Sequence, residues 1–242
     1  MRIILSRKGF DSAAGKAASP IIGGRPISMP IPASKNSRTT YADLGLGEVV
    51  TRITKGRMTG TNLCHHDPMF AHDECIFGQM GAAQSHLARN DVGLGDLFLF
   101  FGLFADEYTG ERHHRLFGYL RVSAMCEVAC LSEAEHDELR GLHHPHVLGE
   151  RSVRDMIYRG EGQCAARAHP ALRLTRPGGP LSTWLVPAWL ESRGLTYHGK
   201  AARWTTPGEL AAVARGQEFV CDIGDDPVAH TWAEGVVRMI CA

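Results

Sequence analysis

The chain lacks the marks of most familiar functional classes. Its seven cysteines, Cys64, Cys75, Cys126, Cys130, Cys164, Cys221 and Cys241, form no C-x-x-C pair and are odd in number. That argues against a disulfide framework or a structural zinc ribbon, and for reduced thiols that serve mostly as small core residues. No apolar run approaches a membrane span, and no basic segment followed by an apolar stretch opens the chain, so a cytoplasmic protein is expected. Neither G-x-G-x-x-G nor G-x-x-x-x-G-K-[ST] occurs, which speaks against dinucleotide redox chemistry and P-loop phosphoryl transfer, and the G-x-S-x-G hydrolase elbow is missing too. Aromatic residues are only 7% of the chain, a poor supply for stacking platforms.

What is present is a globular composition, 44% hydrophobic and 21% charged over 242 residues, enough to bury a sizeable core as one domain spanning 1–242. Basic and acidic residues number 26 each, yet residues 1–60 carry net +7, residues 61–150 net −9 and the remainder net +2. The basic N-terminal third suits phosphates; alternatively, the oppositely charged segments neutralise each other in the fold.

Ile3-Ile4-Leu5 reads as a buried strand that delivers Ser6-Arg7-Lys8-Gly9-Phe10-Asp11-Ser12 at its end, with Gly9 permitting a tight turn. Prolines and glycines break residues 13–36 into short extended pieces. Residues 48–54 read as a strand, and 76–90 as a helix stopped by Asn90-Asp91. Ser132 and Glu135 form a capping box for a helix to about Leu142. Thr206, Pro207 and Glu209 start a helix that Gly216 ends, and Asp226-Pro227 starts the last one, with Val228, Trp232, Val236 and Ile240 on one face. Residues 217–222 read as a strand with Glu218, Val220 and Asp222 facing one way. If it neighbours the first strand, Glu218 can pair with Arg7 or Lys8, since a carboxylate in an apolar segment is costly to bury alone.

In the middle, Leu97 to Gly102 is a continuous apolar strand, followed by a polar loop, Ala105 to His114, and a second strand, Leu116 to Val122. This buried hairpin is similar to that of PUA-like barrels such as the ASCH and EVE domains, which handle RNA or modified bases. The expected fold class is α+β: a single domain with a mixed or antiparallel sheet, a central PUA-like buried hairpin and peripheral helices. Several segments, in order and over nearly the whole chain, resemble the third of the nucleotide modification associated domains. They are IILSRKGFDS from Ile3, His66-Asp67-Pro68, Phe77-Gly78-Gln79 with His86-Leu87, GDLFLFFG from Gly95, His144-Pro145-His146, and RGQEFV from Arg215. The resemblance implies a single α+β domain encoded near phage and bacterial DNA-modification or restriction systems, acting on modified nucleotides. Its partners would be a nucleotide, DNA or RNA, with modification or restriction proteins, and no membrane. Leu103 stands where that family leads one to expect a Trp.

Lys8 and Asp11, three apart across a glycine turn, can form a base–carboxylate pair, with Arg7 and Ser12 placed to bind phosphate; a strand-end ion pair on the surface is the plain alternative. His66 and Asp67 suit a metal-free site in which a carboxylate holds one imidazole tautomer. Pro145 should extend the backbone, so that His144 and His146 point to one side and can meet a phosphate, a metal or Asp67. Gln79 and Gln84 offer amides for base recognition. The catalytic candidates are thus Lys8, Asp11, His66, Asp67 and Glu218, with Arg7, Ser12, Gln79, His144 and His146 binding substrate. A metal set of His65, His66, Asp67, His72 and Cys75 is the weaker alternative, because its spacing fits no H-E-x-x-H or C-x-x-C template; no cofactor is expected otherwise. Two function classes stand. One is a nucleotide- or base-modifying enzyme using acid/base groups; the other is a non-catalytic reader of a flipped, modified base.

Overall fold

The first apolar run forms strand β1 (Arg2–Arg7), whose alternation sends Ile3 and Leu5 to one face and Ile4 and Ser6 to the other. This computed structural model describes residues 1–149, 155–214 and 216–242. A short hairpin follows, β2 (Ser19–Ile22) and β3 (Arg25–Pro26), then β4 (Ile31–Pro32) and helix α1 (Gly47–Ile53). Next come β5 (Cys64–His65), β6 (Met69–Ala71), β7 (Glu74–Gln79), α2 (Gly81–Arg89) and the long hairpin β8 (Leu97–Asp106) and β9 (Arg112–Glu127). Helices α3 (Glu133–Gly141) and α4 (Pro145–Leu148) precede β10 (Met156–Glu161) and β11 (Thr183–Leu185). The chain closes with α5 (Trp189–Arg193), β12 (Trp204–Thr206), β13 (Glu209–Ala211), β14 (Glu218–Asp222) and α6 (Pro227–Cys241).

The main sheet is mixed and runs β14-β1-β8-β9-β10-β7-β6, with β2 added beside β8 and β3 beside β2. β1 pairs in parallel with β8 and antiparallel with β14, in a register that sets Ser6 opposite Glu218. Both faces are buried. Leu97, Leu99 and Phe101 of β8 pack with α6, Trp184 and Leu210 on one side. Phe98, Phe100 and Phe104 pack with Phe77, Leu87 and Tyr158 on the other. The sheet curls so strongly that Phe77 of β7 lies 5.2 Å from Phe98 and 5.4 Å from Phe100 of β8, although β9 and β10 separate their strands. That curl carries the end of β7 across to the ends of β1 and β14.

The α+β class and the central buried hairpin are as expected, but the sheet path ends at β14 and β6 without closing, so the likeness to PUA-like barrels stops at the hairpin. Residues 47–53 are a helix and not a strand. Leu46, Val49, Val50 and Ile53 have helical spacing and face a small separate core with Phe10 and Tyr41, a period that outweighs the β-branched composition. The expected helix over 76–90 begins only at Gly81, because 74–79 is inserted as a strand between β6 and β10. The Thr206 helix is instead the hairpin β12–β13, turning through Pro207 and Gly208, whose φ of 83° suits the third position of a type II turn. The last helix is capped by Asp226 as expected. Its buried face is rotated, with Ala229, Ala233, Val236, Val237 and Ile240 inward and Val228 exposed. No described helix is long and apolar enough to cross a membrane.

Candidate active site

β1, β14 and β7 converge on one carboxylate. Glu218 opens β14 and is fully buried; its Oε1 accepts from Ser6 Oγ at 3.0 Å, Lys8 Nζ at 3.1 Å and Gln79 Nε2 at 2.7 Å. Its Oε2 meets no donor among the described residues. Burial pushes the Glu218 carboxyl above its ordinary value, and Lys8, Ser6 and Gln79 offset only part of that rise. The Lys8 ammonium also sits 4.2 Å above the centre of the Phe77 ring, so the cation is held by a carboxylate and an aromatic face together. The Gln79 amide is committed on both sides, its Oε1 accepting from the Met80 N–H at 3.0 Å.

A second carboxylate is buried between β5 and β6. Asp67 Oδ1 accepts the Gly78 N–H at 2.9 Å and has His144 Nε2 at 3.6 Å. Its Oδ2 faces His146 Nε2 at 3.6 Å and His65 Nε2 at 3.8 Å. Burial pushes the Asp67 carboxyl up, yet its interactions with the nearby His144 and His146 imidazoles outweigh that and hold the group well below the carboxylate range. Burial lowers His65 to about 4 against the pull of Asp67. Gly78 makes the cluster sterically possible: a Cβ there would overlap the His146 ring and come within 2.9 Å of His144 Cε1. A glycine inside a strand signals such close approach. The two histidines come together through a different local structure from the one expected, since Pro145 is the first residue of α4 and His144 its N-cap.

Asp67 lines a cleft of about 510 Å³ together with Lys8, Asp11, His65, Gln79 and His146, and Glu218 is reached from it through Lys8 and Gln79, which line the cleft and donate to its Oε1. Arg7 also lines it but donates to the carbonyls of Ala214 and Val213 at 2.8 and 3.2 Å. Asp11 lies at the rim with Oδ1 accepting from the N–H groups of Ala13 and Ala14, and the partner of Lys8 is Glu218. Ser12 lines a neighbouring cleft. His144 is buried behind Asp67. His66, adjacent to His65 and Asp67 in the chain, is not part of the cleft lining, and burial lowers its pKa. Of the alternative metal set, His72 is exposed in the turn before β7 and Cys75 lies in the aromatic core, its thiol pushed well up by burial, so neither accompanies His65 and Asp67. Gln84 accepts from Tyr158 Oη at 3.0 Å inside the core and does not line the cleft. Residues the sequence reading passed over are Ser6, Phe77 and Gly78; a hydroxyl two positions before Lys8 in an apolar strand, and a strand glycine, were the available signals.

The fold is thus a curled, open α+β sheet with a cleft lined by titratable side chains at its strand ends and two buried carboxylates in opposite settings. The chain belongs to the nucleotide modification associated domain 3 family, whose model matches residues 2–222. The domain is associated with nucleotide modification. Arg215 of the RGQEFV motif lies outside the described residues. No curated protein and no solved structure matches the chain.

Proposed function

We propose that this domain is an enzyme that modifies a nucleotide or a nucleic-acid base by acid/base chemistry. The observation that carries the reading is a pair of buried carboxylates at one cleft, Asp67 in its lining and lowered, Glu218 raised and bonded to the lining residues Lys8 and Gln79, since groups driven apart in this way can hold and accept protons at the same pH. Lys8 and Glu218 form the proton-transfer pair, with Ser6 and Gln79 positioning Glu218. Asp67 and the imidazoles of His65 and His146 share the cleft lining with Lys8 and meet the polar edge of the substrate. Asp11, Arg7 and Ser12 lie on the outer side, toward the phosphate. A reader of modified bases needs an aromatic sandwich, and none of the described residues lining the cleft is Phe, Tyr or Trp. The first cleft shares Arg7 and Asp11 with a second, and the second shares Lys16 and Arg112 with a third that adds Arg52, Lys55 and Arg57 beside Asp106 and Glu107, a path with more basic than acidic side chains that favours a nucleic-acid chain over a free nucleotide.

The test is nucleoside mass spectrometry on DNA and RNA incubated with the protein, beside Glu218→Gln and Lys8→Ala variants. A nucleoside change made by the wild type and lost in both variants supports the reading. Saturable nucleic-acid binding with an unchanged nucleoside profile overturns it and favours the reader.

A further inference from the structure

We infer that His65, Asp67 and His146 bind a divalent first-row transition metal ion, with Asp67 supplying Oδ2 and the histidines their Nε2 atoms. The three ligand atoms lie within 4.8 Å of one another, and the two imidazole nitrogens are 3.8 and 3.6 Å from the same carboxylate oxygen. Donors about 2.1 Å from a tetrahedral ion stand ~3.4 Å apart, and the two nitrogen–oxygen separations are already within a few tenths of an ångström of that spacing. Nitrogen at 3.6–3.8 Å from oxygen is too far for a normal hydrogen bond, which leaves the shared oxygen and both nitrogens without the short contacts that would otherwise justify their convergence.

The surroundings divide the work of Asp67 between its oxygens. Oδ1 takes the Gly78 N–H and faces His144, which fixes the carboxylate plane, and Oδ2 alone turns toward His65 and His146. A carboxylate held in this way by outer partners is the usual support of a metal ligand. The His65 and His146 rings meet edge-on with centroids 5.2 Å apart, an arrangement that aims two ring nitrogens at one point without stacking. The His146 side chain is 3% exposed and its Nδ1 has no partner among the described residues. Gly78 provides the space in which its ring lies.

Two imidazoles and one carboxylate suit zinc or iron(II) better than magnesium or calcium, which prefer all-oxygen sites. All three residues line the cleft, so the remaining coordination positions open to it, as in catalytic and not structural sites. The inference uses three residues that the acid/base reading places against the substrate but does not rest on that reading, because its test reads the affinity of the protein for an ion and not a reaction.

Tag-free full-length protein, stripped with chelator, is titrated with Zn²⁺ and Co²⁺ by calorimetry, and the visible spectrum of the Co²⁺ form is recorded. Expected are one saturable site, Co²⁺ ligand-field absorption, and binding about 100-fold or more weaker in His146→Ala and Asp67→Asn. His72→Ala, which removes an exposed histidine outside the cluster, is expected to bind as the wild type does. Circular dichroism and a thermal melt show that each variant is folded, and His65→Gln replaces any that is not. Absence of saturable binding of either ion, or full-affinity binding in folded His146→Ala, overturns the inference.

Discussion

Replacing Lys8 with Met asks what the buried ion pair contributes. The Glu218 side chain has no exposed surface and that of Lys8 is 12% exposed. Without the ammonium, Oε1 keeps the donors from Ser6 and Gln79 while Oε2 still has none among the described residues. Breaking a fully buried pair by removing one partner costs about 3–5 kcal/mol. Because Lys8 borders the cleft and water can enter in its place, a cost just below that range, ~2–3 kcal/mol, is expected; Met keeps the apolar contact with Phe77. The cost depends on pH. Burial raises the folded carboxyl above its unfolded value of 4.5, so the folded state binds this proton more tightly. The resulting stability is full below the unfolded value and is lost as pH rises through the folded one. Removing Lys8 raises the folded value further, so the destabilisation grows as pH is raised from about 5 to about 8. Urea unfolding of the wild type, Lys8→Met and the double variant Lys8→Met/Glu218→Gln over that range measures it. The double variant recovers most of the loss, since a neutral amide leaves no charge to desolvate. A loss independent of pH, or one the double variant fails to recover, refutes the reasoning.

Gly78→Ala pushes a methyl group into the His146 ring without any left-handed backbone to complicate the result; overpacking of this kind costs about 1–3 kcal/mol, and a urea midpoint matching that of the wild type would falsify the steric account. His114 is lowered to about 4 by burial, then by Arg7, so the folded state binds fewer protons than the unfolded chain between about 6.5 and that value. Its contribution is full above about 6.5 and declines on acidification by at most about 1.4 kcal/mol per pH unit; His114→Gln is expected to flatten that slope in urea titrations, and an unchanged slope counts against it.

Local chemistry was legible where a few neighbouring residues decide it. The Ser132–Glu135 capping box forms with both hydrogen bonds, Asp226 caps the last helix, and the apolar run from Leu97 is a buried strand. Errors arose where a local signal had two outcomes. Thr206-Pro207-Gly208 suits a helix start or a tight turn, and pairing of β13 with both β11 and β12 selected the turn. Residues 74–79 have helix-compatible letters, but two strand neighbours claimed their backbone hydrogen bonds.

The sequence by itself determined the first strand and its polar end, the strand carrying Glu218, the histidine-rich segments and the family to which they belong, because these depend on residue type, alternation and short spacing. Only the tertiary structure decided their partners. The antiparallel register of β14 on β1 gave Lys8 to Glu218, and Asp67 became a meeting point for His65, His144 and His146 because Gly78 lets two rings lie against β7. Contacts between residues 11 to more than 200 positions apart follow from how a sheet curls and which edges it pairs, and that choice is made by the buried area of the whole core and by no single segment.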